Sequence, residues 1–312
     1  KEKVMKKIID SHSHLGDILY GRNITFKQNV RKRDHHNYLD IIEENMLELP
    51  VELTKIDMEE FKESTLNEEQ ARNNTATLQN MQKSLDENGI SQAWVLPVLP
   101  HVGFEEILAA SKLDNRIIPF TCIDFSLGND AGAELLKDSE KGAMGLKIHP
   151  ILQRKSMLSD EVHGALKAWE ITKKPVICHT YPFAYFHPEE SFRNIPEFGS
   201  NYDFLKLADK FPSINFVAAH SGGTSEYEQL YEGRGMKNVY VDTSFQSAAV
   251  VKEFIRRFGE DRVLFGSDWP WGKQNAPVKV VEKACDGDKE LEAKVFYKNA
   301  ERLIVKTERE EK

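Results

Sequence analysis

The chain has 312 residues, a net charge of −8 at pH 7 and three cysteines; its length suits one barrel-type α/β domain plus insertions, so 1–312 is expected to be a single domain. The acidic balance without a basic stripe excludes a nucleic-acid partner. Three widely spaced cysteines give neither a disulfide framework nor a metal knuckle and fit a reducing cytoplasm, and no apolar run nears the roughly 20 residues of a membrane span.

Short β-branched runs alternate with longer amphipathic segments along the chain. The first strand, Ile8-Ile9-Asp10-Ser11-His12-Ser13-His14, carries two histidines two residues apart, which on a strand share one face. An insertion of about 15–72 follows, far longer than an ordinary connection. Helices are expected in it over 38–47 and 58–63. It reads either as a plain surface insertion or, given its place after a strand end, as a lid or homodimer contact.

A helix over 73–87, with Leu78, Met81 and Leu85 at helical spacing, should stop at Asn88-Gly89. Strands ending near Pro97, Asp124 and His149 then alternate with helices over 104–113 and 131–137. Next come a helix over 163–173, a strand ending near Thr180, and an aromatic-rich loop over 181–201 that contains Arg193 and suits the wall of a pocket. Strands ending near His220, Ser244 and Asp268 alternate with helices over 203–210, 225–232, 246–258 and 277–285. A last helix runs from 289 to 303.

Eight strands, each followed by a helix, predict an α/β fold of the (β/α)8 TIM-barrel type with a long insertion after strand 1. A doubly wound sheet fits less well, because no GxGxxG turn follows the first strand. Metal-binding residue types at strand ends near both termini converge only if the sheet closes on itself. The carboxyl ends of strands one, five, six and eight would then bring imidazoles and a carboxylate to one mouth, a set suited to Zn2+ or a similar borderline ion with a position left for water. Gly222-Gly223 would let the backbone come close to a substrate or adopt positive φ.

With His12-Ser13-His14, His220-Ser221-Gly222-Gly223 and Gly266-Ser267-Asp268-Trp269-Pro270 in this order, the chain resembles the amidohydrolase superfamily. Within it, the likeness is to the amidohydrolase-2 branch of metal-dependent hydrolases and decarboxylases. The resemblance runs from Asp10 to Leu303. It implies that His12, His14, His179 and Asp268 bind one divalent metal per chain, zinc or another such as manganese. His220 would stand beside the metal as an acid/base or electrophile. Superfamily members with two metals use a carboxylated lysine on strand four, whereas the amidohydrolase-2 branch is usually mononuclear. Lys147 is therefore expected either to bridge metals or to meet a substrate anion or Asp268. His149, on the same strand face as Lys147, joins Tyr181, Arg193 and Trp269 as a candidate substrate contact.

The implied reaction is hydrolysis of an ester, lactone or amide-like bond in a small molecule, with Asp268 taking the proton from water and His220 stabilising the oxyanion. One alternative is non-oxidative decarboxylation of an aromatic or unsaturated carboxylic acid on the same residues. The other is a non-catalytic binding barrel, whose expected mark would be a lost ligand. The expected partner is a small-molecule substrate, with no nucleic acid and no membrane.

Overall fold

The computed structural model describes residues 6–32, 37–47 and 58–304. Strand β1 (Ile9–Ser13) is followed by the insertion helices α1 (Tyr38–Asn45) and α2 (Met58–Asn73), and then by α3 (Leu78–Asn88) and β2 (Gln92–Val95). Helix α4 (Phe104–Leu113) leads to β3 (Ile117–Pro119) and β4 (Thr121–Cys122), α5 (Ala131–Lys141) to β5 (Leu146–Ile148), and α6 (Asp160–Trp169) to β6 (Val176–His179). Helix α7 (Asn201–Lys210) leads to β7 (Phe216–Ala219), the short α8 (Gly223–Glu226) precedes β8 (Val239–Asp242), and α9 (Ala248–Phe258) precedes β9 (Val263–Leu264). Helices α10 (Asn275–Ala284), α11 (Lys289–Ala293) and α12 (Asn299–Ile304) follow.

All ladders are parallel, in the orders β1-β2-β3 and β4-β5-β6-β7-β8-β9. The strand expected to end near Asp124 is split in two. Its first half pairs with β2 and its second with β5. The change of partner falls at Phe120, whose N–H still reaches Val95 O (3.1 Å) while Thr121 N–H bonds Gly145 O (2.9 Å). Phe120 swings its ring over Gly145, where a Cβ would lie 2.1 Å from it, so only glycine fits there. At the other seam, Ser11 N–H bonds Phe265 O (2.9 Å), Asp268 N–H bonds His12 O (2.7 Å) and His14 N–H bonds Trp269 O (2.7 Å), joining the last strand to the first. The architecture is the (β/α)8 TIM barrel.

Strand periodicity sorts the core into two layers. Ile9, Trp94, Leu96, Phe120, Ile177, Val217, Ala219 and Leu264 form one buried cluster, joined by Ala300 and Leu303 of α12. The intervening residues, such as Val95, Ile148, Cys178 and Ala218, pack against the surrounding helices.

Local signals set most helix ends. Thr77 accepts from Asn80 N–H and starts α3 later than expected, while Gly89 at φ 65° ends it as predicted. Ser159 caps α6 three residues before the expected start. The helix expected over 225–232 is instead the end of α8 followed by a 3-10 segment, Tyr227–Gly235, which closes on Gly233 and Gly235. Helix α2 continues well beyond 63, to Asn73, because its last turns are tied to their neighbours by Arg72.

Candidate active site

At the carboxyl ends of β1 and β9, His12, His14 and Asp268 each offer one ligand atom, and these atoms all lie within 4.8 Å of one another. His12 Nε2 is 3.2 Å and His14 Nε2 3.4 Å from Asp268 Oδ1. All three side chains are buried. The far side of each ring decides what the near side presents. His14 Nδ1 lies 2.6 Å from Leu96 O, a carbonyl that can only accept, so the proton sits on Nδ1 and the Nε2 lone pair faces Asp268. His12 Nδ1 is 2.8 Å from Asp242 Oδ2. Because Asp242 already accepts at Oδ1 from His220 N–H, Ser244 N–H and the Ser244 hydroxyl, it acts as the acceptor for His12 too. Both imidazoles thus turn unprotonated Nε2 atoms toward one carboxylate. Burial, with Lys147 adding to it, holds both well below the usual histidine range. Two neutral imidazoles and a carboxylate, each held from behind, fit a divalent metal.

Asp10, at the start of the histidine motif, anchors this group from below. It accepts from His12 N–H (3.2 Å), Ser267 N–H (3.0 Å), the Ser13 hydroxyl (2.9 Å) and Gln274 Nε2 (2.8 Å), and so ties β1 to the turn that carries Asp268. Asp268 itself has φ 60°, and His220, Ser221 and Phe245 also have positive φ, at 63°, 45° and 55°. Non-glycine residues in this region are strained, and such strain concentrates at working sites.

The remaining expected residues surround this group. Lys147 is fully buried with Nζ 3.3 Å from His12 Nε2, and burial pushes its ammonium down to about 8 against the pull of Asp268 and Asp242. His220 Nε2 is 3.9 Å from Asp268 Oδ2. Its Nδ1 lies 3.2 Å from Ser244 Oγ, whose own proton goes to Asp242, so His220 donates there and presents Nε2 as an acceptor. His179 stands slightly apart: its Nε2 donates to Tyr181 O (2.9 Å) and its Nδ1 faces the Tyr185 hydroxyl (3.4 Å). The His149 ring stacks on His179 with centroids 4.3 Å apart. Gly222 and Gly223 have φ 81° and 63°, and a Cβ on Gly223 would sit 2.4 Å from the Tyr181 ring.

Above these residues opens a cavity that is continuous with solvent. His14, His149, His179, His220 and Asp268 form its floor, and Tyr181, Phe183, Tyr185, Phe245 and Trp271 line it. The insertion forms part of its wall through Ile18, Leu39, Ile42, Phe61, Thr65 and Glu69. Helix α2 is held there by Arg72, which bonds Glu68 (2.7 Å), Glu43 (2.8 and 3.1 Å), Asp40 (2.6 Å) and the carbonyl of Trp271.

Two candidate substrate contacts lie elsewhere. The Arg193 guanidinium pairs with Glu190 (2.9 Å), donates to Leu19 O (2.8 Å) and packs over Phe186, 3.7 Å from its ring centroid, so it braces the loop. The Trp269 indole does not line the cavity; Trp271, two residues on, does. The sequence reading also passed over Asp242, Ser244, Asp10 and Glu69. Asp242 ends a strand in the same way as His179 and Asp268, a signal that was available, whereas Glu69 lies in an unremarkable run of charged helix residues.

The family model for amidohydrolases of type 2 matches residues 9–304. The chain belongs to the amidohydrolase family. It is therefore an enzyme of the metal-dependent hydrolase or decarboxylase type. No curated protein matches this amidohydrolase in sequence. Among solved structures it is similar to an uncharacterized TIM-barrel protein from Bordetella bronchiseptica, at 16% identity over 96% of this chain and 98% of that one, with a TM-score of 0.65. A 5-carboxyvanillate decarboxylase from Novosphingobium aromaticivorans, complexed with manganese and 4-hydroxy-3-methoxy-5-nitrobenzoic acid, matches at 15% identity over 96% of each chain, with a TM-score of 0.64. A probable 2-pyrone-4,6-dicarboxylic acid hydrolase from Acinetobacter baumannii, with citric acid bound, matches at 14% identity over 96% of this chain and 99% of that one, with a TM-score of 0.59. At these identities the likeness is one of fold. Among the described residues no helix is long and apolar enough to cross a membrane.

Proposed function

We propose that this amidohydrolase hydrolyses an ester, lactone or amide-like bond in a small molecule. His12, His14 and Asp268 would hold one divalent metal, zinc or alternatively manganese, with His179 on the same floor as the further candidate once its Nε2 leaves Tyr181 O. When bound, such an ion supplies Lewis acidity and lowers the pKa of water. The observation that carries the reading is Asp268, a buried carboxylate within 3.4 Å of both histidines of the β1 motif and facing the cavity.

Asp268 takes the proton of the attacking water and passes it by way of His220 Nε2, 3.9 Å away, to the leaving group as the tetrahedral intermediate collapses and the bond to that group breaks. Ser244 and Asp242 keep the His220 proton on Nδ1, so His220 becomes an oxyanion donor only after it has received that proton. Lys147, buried behind His12, is a cation at the floor that offsets Asp268 and Asp242.

Decarboxylation is the second reading, favoured by the flat aromatic walls of the cavity. The test is turnover of the zinc- and manganese-loaded protein on a panel of esters, lactones and amides beside hydroxybenzoates. Hydrolysis that falls at least about a hundredfold in a metal-replete Asp268→Asn variant is expected. Full turnover by that variant refutes the assignment, and CO2 release in place of hydrolysis moves the conclusion to the decarboxylase.

A further inference from the structure

Helix α2 presents Phe61, Thr65 and Glu69 at successive four-residue steps, one stripe of a helix, and all three line the cavity. Two polar atoms on that stripe are out of place. Thr65 Oγ1 and Glu69 Oε2 are both buried and have no hydrogen-bond partner in the protein. A mid-helix threonine ordinarily bonds a carbonyl one turn back, and a buried carboxyl oxygen ordinarily finds a donor. Leaving either unmade is unfavourable, so two side by side on one cavity wall need a reason. The neighbouring stripe of the same helix, Glu68 and Arg72, is by contrast fully engaged with itself, Glu43 and Asp40.

We propose that Thr65 and Glu69 form a recognition subsite that takes a hydroxyl or amine group carried by an aromatic substrate. This rests on the cavity being the substrate site, as above. Three features choose that class. The cavity is walled by Phe61, Phe183, Phe245 and Trp271, which suit a flat apolar body. Among the described residues that line it, none is an arginine or lysine, so a carboxylate or phosphate at this end would find no counter-charge. Arg72, the nearest guanidinium on α2, is committed to Glu43, Glu68 and Asp40. A hydroxyl or amine hydrogen satisfies Glu69 Oε2, and the Thr65 hydroxyl can donate to or accept from the same group. The insertion then reads the far end of the substrate while the barrel acts on the near end.

The test uses unreactive probes, so it does not depend on the reaction. Binding of 4-methylphenol, 4-methylanisole and 4-methylbenzoate to the zinc-loaded full chain is measured by calorimetry for the wild type, Glu69→Leu, Thr65→Val and Glu69→Gln. The wild type should bind the phenol at least about tenfold more tightly than the anisole, which has the same shape without the donor. Glu69→Leu and Thr65→Val should each shrink that ratio to about threefold or less, and Glu69→Gln, which keeps an acceptor, should retain most of it. The near-isosteric Thr65→Val keeps the test decisive if Glu69→Leu misfolds. A preference for the phenol that survives in the variants overturns the proposal, because it then arises elsewhere in the site. Equal binding of phenol and anisole overturns it while leaving the cavity as the substrate site, as does tightest binding of the benzoate. Failure of every probe to bind overturns it too, and the ester and hydroxybenzoate panel then reports separately on the reaction.

Discussion

Replacing Arg72 by leucine should release the insertion without unfolding the barrel. The guanidinium is 4% exposed and bonds Glu43, 4% exposed, and Glu68, fully buried, besides Asp40 and the carbonyl of Trp271. Leucine fills part of the volume but leaves Glu68 with Lys32 (2.7 Å) and Glu43 with the more distant Lys273 (3.9 Å), so the cost is set at the lower end of that for breaking a buried pair, about 3 kcal/mol. The bonds lost join α1, α2 and the 271 turn, so the cost falls on the docking of these two helices. A 3 kcal/mol loss raises the open population roughly a hundredfold. Amide hydrogen exchange by mass spectrometry should therefore show faster exchange by about that factor in peptides from α1 and α2, with peptides from β6 and α6 as controls. Exchange in α1 and α2 that changes less than about threefold refutes the idea that Arg72 is the latch. Equal loss of protection throughout the barrel refutes the idea that α1 and α2 come away independently of it.

Two further outcomes follow from the same groups. Asp242→Asn replaces the acceptor behind His12 with an amide that can present its N–H instead; metal affinity, measured by chelator competition, should fall about 10–100-fold, and unchanged affinity contradicts the role given to Asp242. Glu69 is pushed by burial, assisted by Glu68 and opposed by Arg72, up to about 8. A carboxyl raised in the folded state binds its proton there while the unfolded chain has released it, so stability is greatest below the ordinary glutamate pKa and declines as pH rises toward 8. Denaturation of wild type and Glu69→Gln from pH 4 to pH 9 should show the variant gaining relative stability across that window, by at most about 5 kcal/mol, with no further gain above it; parallel curves contradict the burial of an acid at this position.

How much of this could be read in advance differs by element. The histidine pair, His220, Asp268 and the barrel itself were legible, because period-two strands ending in chemically distinctive residues leave a local mark. Where one of those residues sits relative to the others was not: His179 ends its strand as expected, yet its two nitrogens are taken up by Tyr181 and Tyr185. Arg193 and Trp269 looked suitable by type and loop, but a guanidinium beside Glu190, Phe186 and Tyr20 has nearer partners than a substrate. The split strand depends on one ring passing over Gly145, a contact between residues on neighbouring strands that no window of sequence contains. Helix α2 was underestimated because its face toward the cavity mixes Phe61, Thr65 and Glu69 and carries no apolar stripe. Tertiary bonding through Arg72, rather than amphipathic patterning, extends it.

The backbone at the mouth of the barrel carries a consequence for how such a protein can change. His220, Ser221, Phe245 and Asp268 occupy a region of φ that costs about 1–3 kcal/mol for each non-glycine residue. Relieving that strain with glycine or asparagine would remove Asp268 or His220, to which the proposed reaction gives the proton steps. Under the proposed reaction these two positions are where durability and turnover compete, so added stability is better sought in the outer helices than at the rim.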